Sequence, residues 1–374
     1  MQKIIVSNFI FKEVKNKRLN SLSFWLKMIA DFMILITIKV IKIYQISLNL
    51  YGYKAFIFLN FNIKNILNLI RLKMNFGIMF LIFIFYSQIA QAKINIFACE
   101  PEWASLAKEI TGDLANISVA TTHNQDPHYI QVKPSLIAKI READLVFCSG
   151  ASLEEGWLPL LIQKAYKKSV KLGEVGHFMA SDYVSKIEIN NNYSLTRADG
   201  HIHPHGNPHI HLDPRNITKI ANELTARLKV IDKENAHIFA KNQEIFNQKW
   251  QKSFDGWQKR AENIRNMTII INHNAWSYLI NWLDLKLLAK IEEKPGINPS
   301  ARHLGNLLRM TKDSNVDLIL YASFENDRSI KWLSSKSKVK AIKLPFTIDQ
   351  SQINSLFDLF DSILTLLESN RNSA

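Results

Sequence analysis

Three of the chain's eleven histidines stand just after apolar, strand-like runs or in a long loop. His128 closes Gln125-Asp126-Pro127-His128, after the run at 117–121. His209 lies in Gly206-Asn207-Pro208-His209-Ile210-His211, within the long loop beyond Asp199. His273 lies in Asn272-His273-Asn274-Ala275-Trp276, after the run at 267–271. A fourth loop, Pro345-Phe346-Thr347-Ile348-Asp349, follows the run at 339–344 and offers a carboxylate. Neutral imidazole suits Zn2+, and three or four nitrogen and oxygen donors complete a tetrahedral site. Pro127 and Pro208 fix their own φ and help aim the ring that follows.

Each signal has a plainer reading. A lone histidine near a strand end is usually a polar surface residue. Three in such loops, two of them in Pro-His contexts, favour a metal. His201, His203 and His205, next to His209 and His211, add a local density of imidazole that reads as auxiliary metal capture, the alternative being a solvated loop with incidental histidines. Three histidines and a water also make a hydrolytic centre. Such an enzyme needs a general base, and no His-Glu-x-x-His is present. Glu100 and Glu292 follow strands and are the candidate bases, with loop capping or pairing to Arg or Lys as their other use. Nothing repeats along the chain, which gives an exported adhesin or scaffold little support.

The elements that must position these loops alternate. Strand-like runs at 94–98, 117–121 and 145–148 are separated by helical segments at 102–110 and 135–143, the second preceded by Pro134. This rhythm predicts a parallel sheet covered by helices, an α/β lobe over 93–231. A second set, with strands at 267–271, 285–291, 316–321 and 339–344 and helices at 276–282, 300–311 and 351–367, predicts a second α/β lobe over 266–374. Between them, 232–265 holds no proline and repeats Phe246, Trp250, Phe254 and Trp257 at helical spacing, so it predicts one long amphipathic helix, a rigid connector unlike a Gly/Ser linker. Ligands of open parallel sheets bind beyond the carboxyl ends of the strands. With two lobes, that places the metal site in the cleft between them.

The formal net charge is +14, which invites a nucleic-acid reading until its location is considered. Residues 1–73 carry +10 of it, with no proline and no clean domain pattern. The apolar stretch at 28–43 is interrupted by Asp31, Lys39 and Lys42 and makes a poor spanning helix. After Met74 come eleven uncharged residues, 76–86, and then Ala90-Gln91-Ala92; together they read as a cleaved signal peptide over 74–92. A leader 73 residues inside a chain makes 1–73 an expected non-native extension, with Met74 the start. The exported chain from Lys93 keeps only +4, which leaves nucleic acid little role. Cys99 and Cys148, the only cysteines, end two strands expected to be neighbours. In an exported compartment a disulfide is open to them, as is a life as two small buried apolar side chains.

At these residues the sequence resembles a known family, the zinc- and manganese-binding substrate-binding proteins of bacterial ABC transporters, and most closely the periplasmic zinc-binding members. The resemblance runs from Ile94 to Leu367. It is carried by Cys99-Glu100-Pro101-Glu102-Trp103, the Asp-Pro-His and Asn-Pro-His loops, Gly156-Trp157-Leu158-Pro159, Asp213-Pro214, His273 with Trp276-Ser277-Tyr278, Lys294-Pro295-Gly296 and Leu344-Pro345-Phe346-Thr347. It implies two α/β lobes joined by a long rigid helix, with His128, His209 and His273 as metal ligands. Asp349 stands near the place where some members supply a fourth ligand, and His211 replaces a tryptophan common in the family. The implied function is capture of periplasmic Zn2+ by a monomer and delivery to an inner-membrane ABC permease with its cytoplasmic ATPase. A manganese-binding protein of the same family is the alternative, although Mn2+ prefers more oxygen ligands.

Overall fold

The computed structural model describes residues 93–189, 203–294 and 296–371, with a scatter of positions between 27 and 72. The expected signal peptide, nearly all of the expected extension, and His201 lie outside the described residues. The chain divides into two units, Met1–Gln91 and Ala92–Ala374. The few described positions of the first, Leu35 and Ile38 among them, are helical and exposed. Among the described residues no helix is long and apolar enough to cross a membrane.

The second unit holds two four-stranded parallel sheets. The first contains β1 (Ile94–Ala98), β2 (Ala115–Val119), β3 (Leu145–Cys148) and β4 (His177–Met179) in the order β2-β1-β3-β4. Its helices are α1 (Pro101–Thr111), α2 (Pro134–Glu142) and α3 (Leu158–Ala165). The second sheet contains β5 (Thr268–Ile271), β6 (Lys286–Lys290), β7 (Leu318–Tyr321) and β8 (Lys340–Lys343) in the order β6-β5-β7-β8. Its helices are α6 (Ser277–Leu283), α7 (Ala301–Asp313), α8 (Arg328–Ser337) and α9 (Leu356–Ser369). The central strands β1, β3, β5 and β7 are apolar at nearly every position because helices cover both faces. Strand β4, helices α3 and α8, and the helix at Pro214–Ile231 were not picked out by pattern.

Two helices link the lobes. α4 (Pro214–Ile231) starts where Asp213 accepts from the Arg215 amide and Pro214 takes the first helical position. An Asp232–Asn235 turn leads into α5 (Ala236–Ala261), which begins four residues later and ends four residues earlier than expected. Its 26 residues extend about 39 Å. Phe239, Phe246, Trp250 and Trp257 form its buried stripe, and the Trp indoles are anchored on the Pro214 carbonyl and on Asp361 of α9. One continuous apolar core runs from Ile94 through these aromatics to Leu367.

Cys99 and Cys148 are joined in a disulfide, with Cα atoms 4.8 Å apart. β1 and β3 are hydrogen-bonded neighbours, and the Cys99 amide donates to the Phe147 carbonyl, so the pair closes over the carboxyl edge of the sheet.

Candidate metal centre

His128, His209 and His273 come from three different loops and converge. One nitrogen of each lies within 4.8 Å of the others, and all three side chains are buried. Their ring centroids are 5.8 to 6.2 Å apart.

The β2–α2 loop supplies His128. Asp126 accepts from its backbone amide at 3.0 Å and meets its Nδ1 at 2.6 Å. The Trp157 indole donates to the Pro127 carbonyl and pins the turn. The carboxylate assigns the ring proton to Nδ1 and leaves the lone pair on Nε2, the arrangement of a histidine poised to ligate. Burial alone would raise the Asp126 pKa; the His128 bonds outweigh it and hold the carboxyl below its usual range.

The loop after β5 supplies His273, and the end of β6 supplies its partner. Nδ1 lies 2.8 Å from Glu292 Oε2, which also accepts from the Gly296 amide. Burial acts to lower the His273 pKa, but Glu292, by hydrogen bond and by charge, raises it overall. The same carboxylate again puts the proton on Nδ1.

His209 differs. Asn207 accepts from its backbone amide and donates to the Asn274 carbonyl, while the Tyr278 hydroxyl donates to the Asn207 carbonyl, so this loop is laced to the second lobe. Gly206, at φ +102°, makes the turn; a Cβ there would lie 2.8 Å from Lys186 Cβ. The imidazole itself is 1 % exposed, and neither Nδ1 nor Nε2 has a hydrogen-bond partner. Burial, then the neighbouring imidazoles, push its pKa well below the ordinary value, so the ring is neutral. Two orphaned buried nitrogens are costly unless something fills the gap they face.

The remaining expected residues divide. His203 joins the cluster, its Nε2 3.0 Å from His128 Nε2. His205 is exposed and lines a separate groove of about 710 Å3 beside Leu158, Ile162 and Tyr166. His211 is buried with Nε2 2.9 Å from the Phe346 carbonyl and Nδ1 3.2 Å from Glu102. Asp349 is a correction: it is not in the group. Its Oδ1 accepts from the amides of Ser351, Gln352 and Ile353; burial acts to raise its pKa, and these bonds together outweigh it and bring the value down to about 2. A carboxylate with three local donors caps its own turn instead of reaching a cleft.

Glu325 was missed. It follows β7, both its oxygens are buried, and burial pushes its pKa up to about 7 against the pull of His273 and Asn272. The available signal was its position just beyond a strand, shared with the other site loops. Of the two candidate bases, Glu292 is committed to His273 and Gly296. Glu100 is sealed in the first lobe, accepting from Ser149 and facing Glu154, and burial pushes its pKa well up.

The chain is similar to the zinc-binding lipoprotein AdcA of Streptococcus pneumoniae, 24 % identical over 255 residues that are 68 % of this chain and 49 % of that protein. It thus spans about half the length of that relative. It is also similar to the manganese ABC transporter substrate-binding lipoprotein PsaA of Streptococcus pneumoniae, 25 % identical over 263 residues, 68 % of this chain and 80 % of PsaA. Among solved structures, the crystal structure of ZnuA superposes with a TM-score of 0.62 at 18 % identity, covering 75 % of this chain and all of ZnuA, which shows the two-lobe α/β fold. With residues 96–369 matching its model, the chain belongs to the family described as zinc-uptake complex component A, periplasmic.

Proposed function

We propose that this chain is a periplasmic binding protein that captures Zn2+ between its lobes and hands it to an inner-membrane ABC permease with a cytoplasmic ATPase. His128 and His209 ligate from the first lobe, His273 from the second, and His203 takes the fourth place. The observation that carries this reading is His209, buried and neutral with both nitrogens lacking partners, facing two imidazoles whose protons are held on Nδ1 by carboxylates. All-imidazole ligation favours Zn2+ over Mn2+, which asks for more oxygen. AdcA is named for zinc and PsaA for manganese, so the choice rests on the donor set.

Zn–N bonds of about 2.0–2.1 Å at tetrahedral angles separate ligand nitrogens by roughly 3.4 Å. The His128–His203 pair, at 3.0 Å, is near that spacing, while the three-loop cluster spans up to 4.8 Å. Binding therefore draws the loops inward by at most about 1.4 Å, a small closure in keeping with the shared core. Carriage is the reading, from the family and the all-histidine donor set; hydrolysis of generic ester and peptide substrates by zinc-loaded protein, with Glu325 as the base, would overturn it.

Isothermal titration of the metal-free chain with Zn2+ and with Mn2+ tests this. Tight, one-to-one Zn2+ binding that His128→Ala or His273→Ala weakens by orders of magnitude is expected. Tighter Mn2+ binding would overturn the metal, and absence of binding would overturn the function.

A further inference from the structure

His211 is buried beside the cluster, and the site described above has no use for it. It is 1 % exposed, and so is Glu102, in the first turn of α1. His211 Nε2 faces the Phe346 carbonyl at 2.9 Å, so that nitrogen carries a hydrogen and donates. His211 Nδ1 lies 3.2 Å from Glu102 Oε1. The other oxygen of Glu102 accepts a short hydrogen bond from the Thr347 hydroxyl. Glu102 and His211 belong to the first lobe, and Phe346 and Thr347 follow β8 of the second. The Phe346 ring packs edge-on against both His211 and His209, at centroid distances of 5.1 and 5.3 Å.

We propose that Glu102, His211 and Thr347 form a buried latch across the cleft, a set of positioning residues that sets how fast bound metal leaves. This rests on the zinc-capture reading. The proposed ligands come from both lobes, so release requires the lobes to part or a loop to withdraw. The latch bonds cross the same boundary, one phenyl ring away from His209. Opening would break the Thr347–Glu102 and His211–Phe346 bonds and leave their buried donors and acceptors without the partners they now have across the cleft. The ligands themselves set the first encounter with metal, so the latch acts on the dissociation rate and leaves association nearly unchanged.

Stopped-flow release of Zn2+ from the loaded full chain into excess chelator reads this. Thr347→Val keeps the shape and removes the hydroxyl; dissociation is expected to accelerate about tenfold, the scale of one lost buried hydrogen bond to a charged group. Thr347→Ser restores the hydroxyl and is expected to restore the rate. His211→Gln, which keeps an amide donor for the Phe346 carbonyl, is expected to release metal at close to the wild-type rate while the ligand-field spectrum of the Co2+-loaded protein stays that of wild type. An unchanged release rate in Thr347→Val, or a faster rate that Thr347→Ser does not rescue, overturns the latch. A changed Co2+ spectrum in His211→Gln also overturns it, by making His211 a ligand. Failure of wild type to bind Zn2+, or wild-type affinity in His209→Ala, instead overturns the capture reading on which the latch stands.

Discussion

Replacing His209 with leucine should make the metal-free protein more stable while destroying its function. The neutral ring brings one donor and one acceptor into a site where neither has a partner. Each unsatisfied buried polar atom costs about 1–3 kcal/mol. Leucine is of similar volume, and the neighbouring Phe346 ring already offers it an apolar contact. Some repacking strain offsets the gain, so His209→Leu is expected to raise the metal-free unfolding free energy by about 2 kcal/mol. For a unit of this size that is a rise of roughly 4–8 °C in Tm. Urea unfolding with chelator present, comparing wild type and variant at equal m-values, measures it. Adding Zn2+ should reverse the order, because ligand binding stabilises the wild type by an amount that grows with free metal over Kd, and the variant hardly gains. A metal-free variant less stable than wild type by more than about 1 kcal/mol, with m unchanged, would refute the argument that His209 is strained in waiting for a ligand.

Reducing the Cys99–Cys148 disulfide opens a loop of sequence separation 49, worth up to about 4 kcal/mol by chain entropy; denaturant unfolding of oxidised against reduced protein should show most of it, and a loss under 1 kcal/mol would contradict the estimate. Asp349→Ala should cost about 1 kcal/mol by stripping three backbone amides of their acceptor, yet leave Zn2+ affinity unchanged; a drop in affinity would restore Asp349 to the site. That contribution is full above the ordinary aspartate pKa and fades as pH falls through about 2. Glu154, buried beside Glu100, has its pKa raised to about 7, chiefly by burial. A folded-state pKa above the unfolded one means the native state holds the extra proton between pH 4.5 and 7, so stability falls as pH rises through that window. Glu154→Gln should flatten that fall, which amounts to a few kcal/mol; an unaltered pH profile would show the pair is not the cause.

The lobes were legible because buried parallel strands leave continuous apolar runs and the long α5 stripe repeats at helical spacing. Strand β4 was not, since three residues are too few to show a period. α8 buries only Ile330 and Leu333, and no side chain caps its start. His128 and His273 were visible because each follows a strand end, and His209 because it sits in an Asn-Pro-His run within a long loop. His203 could be named only as part of a local cluster; its contact with His128 bridges 75 residues and depends on how a long loop folds back. Asp349 misled because a sequence does not distinguish a carboxylate that reaches a cleft from one that caps the amides two to four residues ahead. Glu292 was noticed but not paired, for its partner His273 follows the neighbouring strand and is not nearby in the chain.

The two sheets share one strand order, so every loop of the first lobe has a counterpart in the second. The loop after β2 carries His128, and its counterpart after β6 carries Glu292. The loop after β1 carries Glu100, and its counterpart after β5 carries His273. The loop after β3 carries Glu154, and its counterpart after β7 carries Glu325. In two of these three pairs acid and imidazole trade places between equivalent loops, so the two lobes bring different donors to one cleft on the same arrangement of strands.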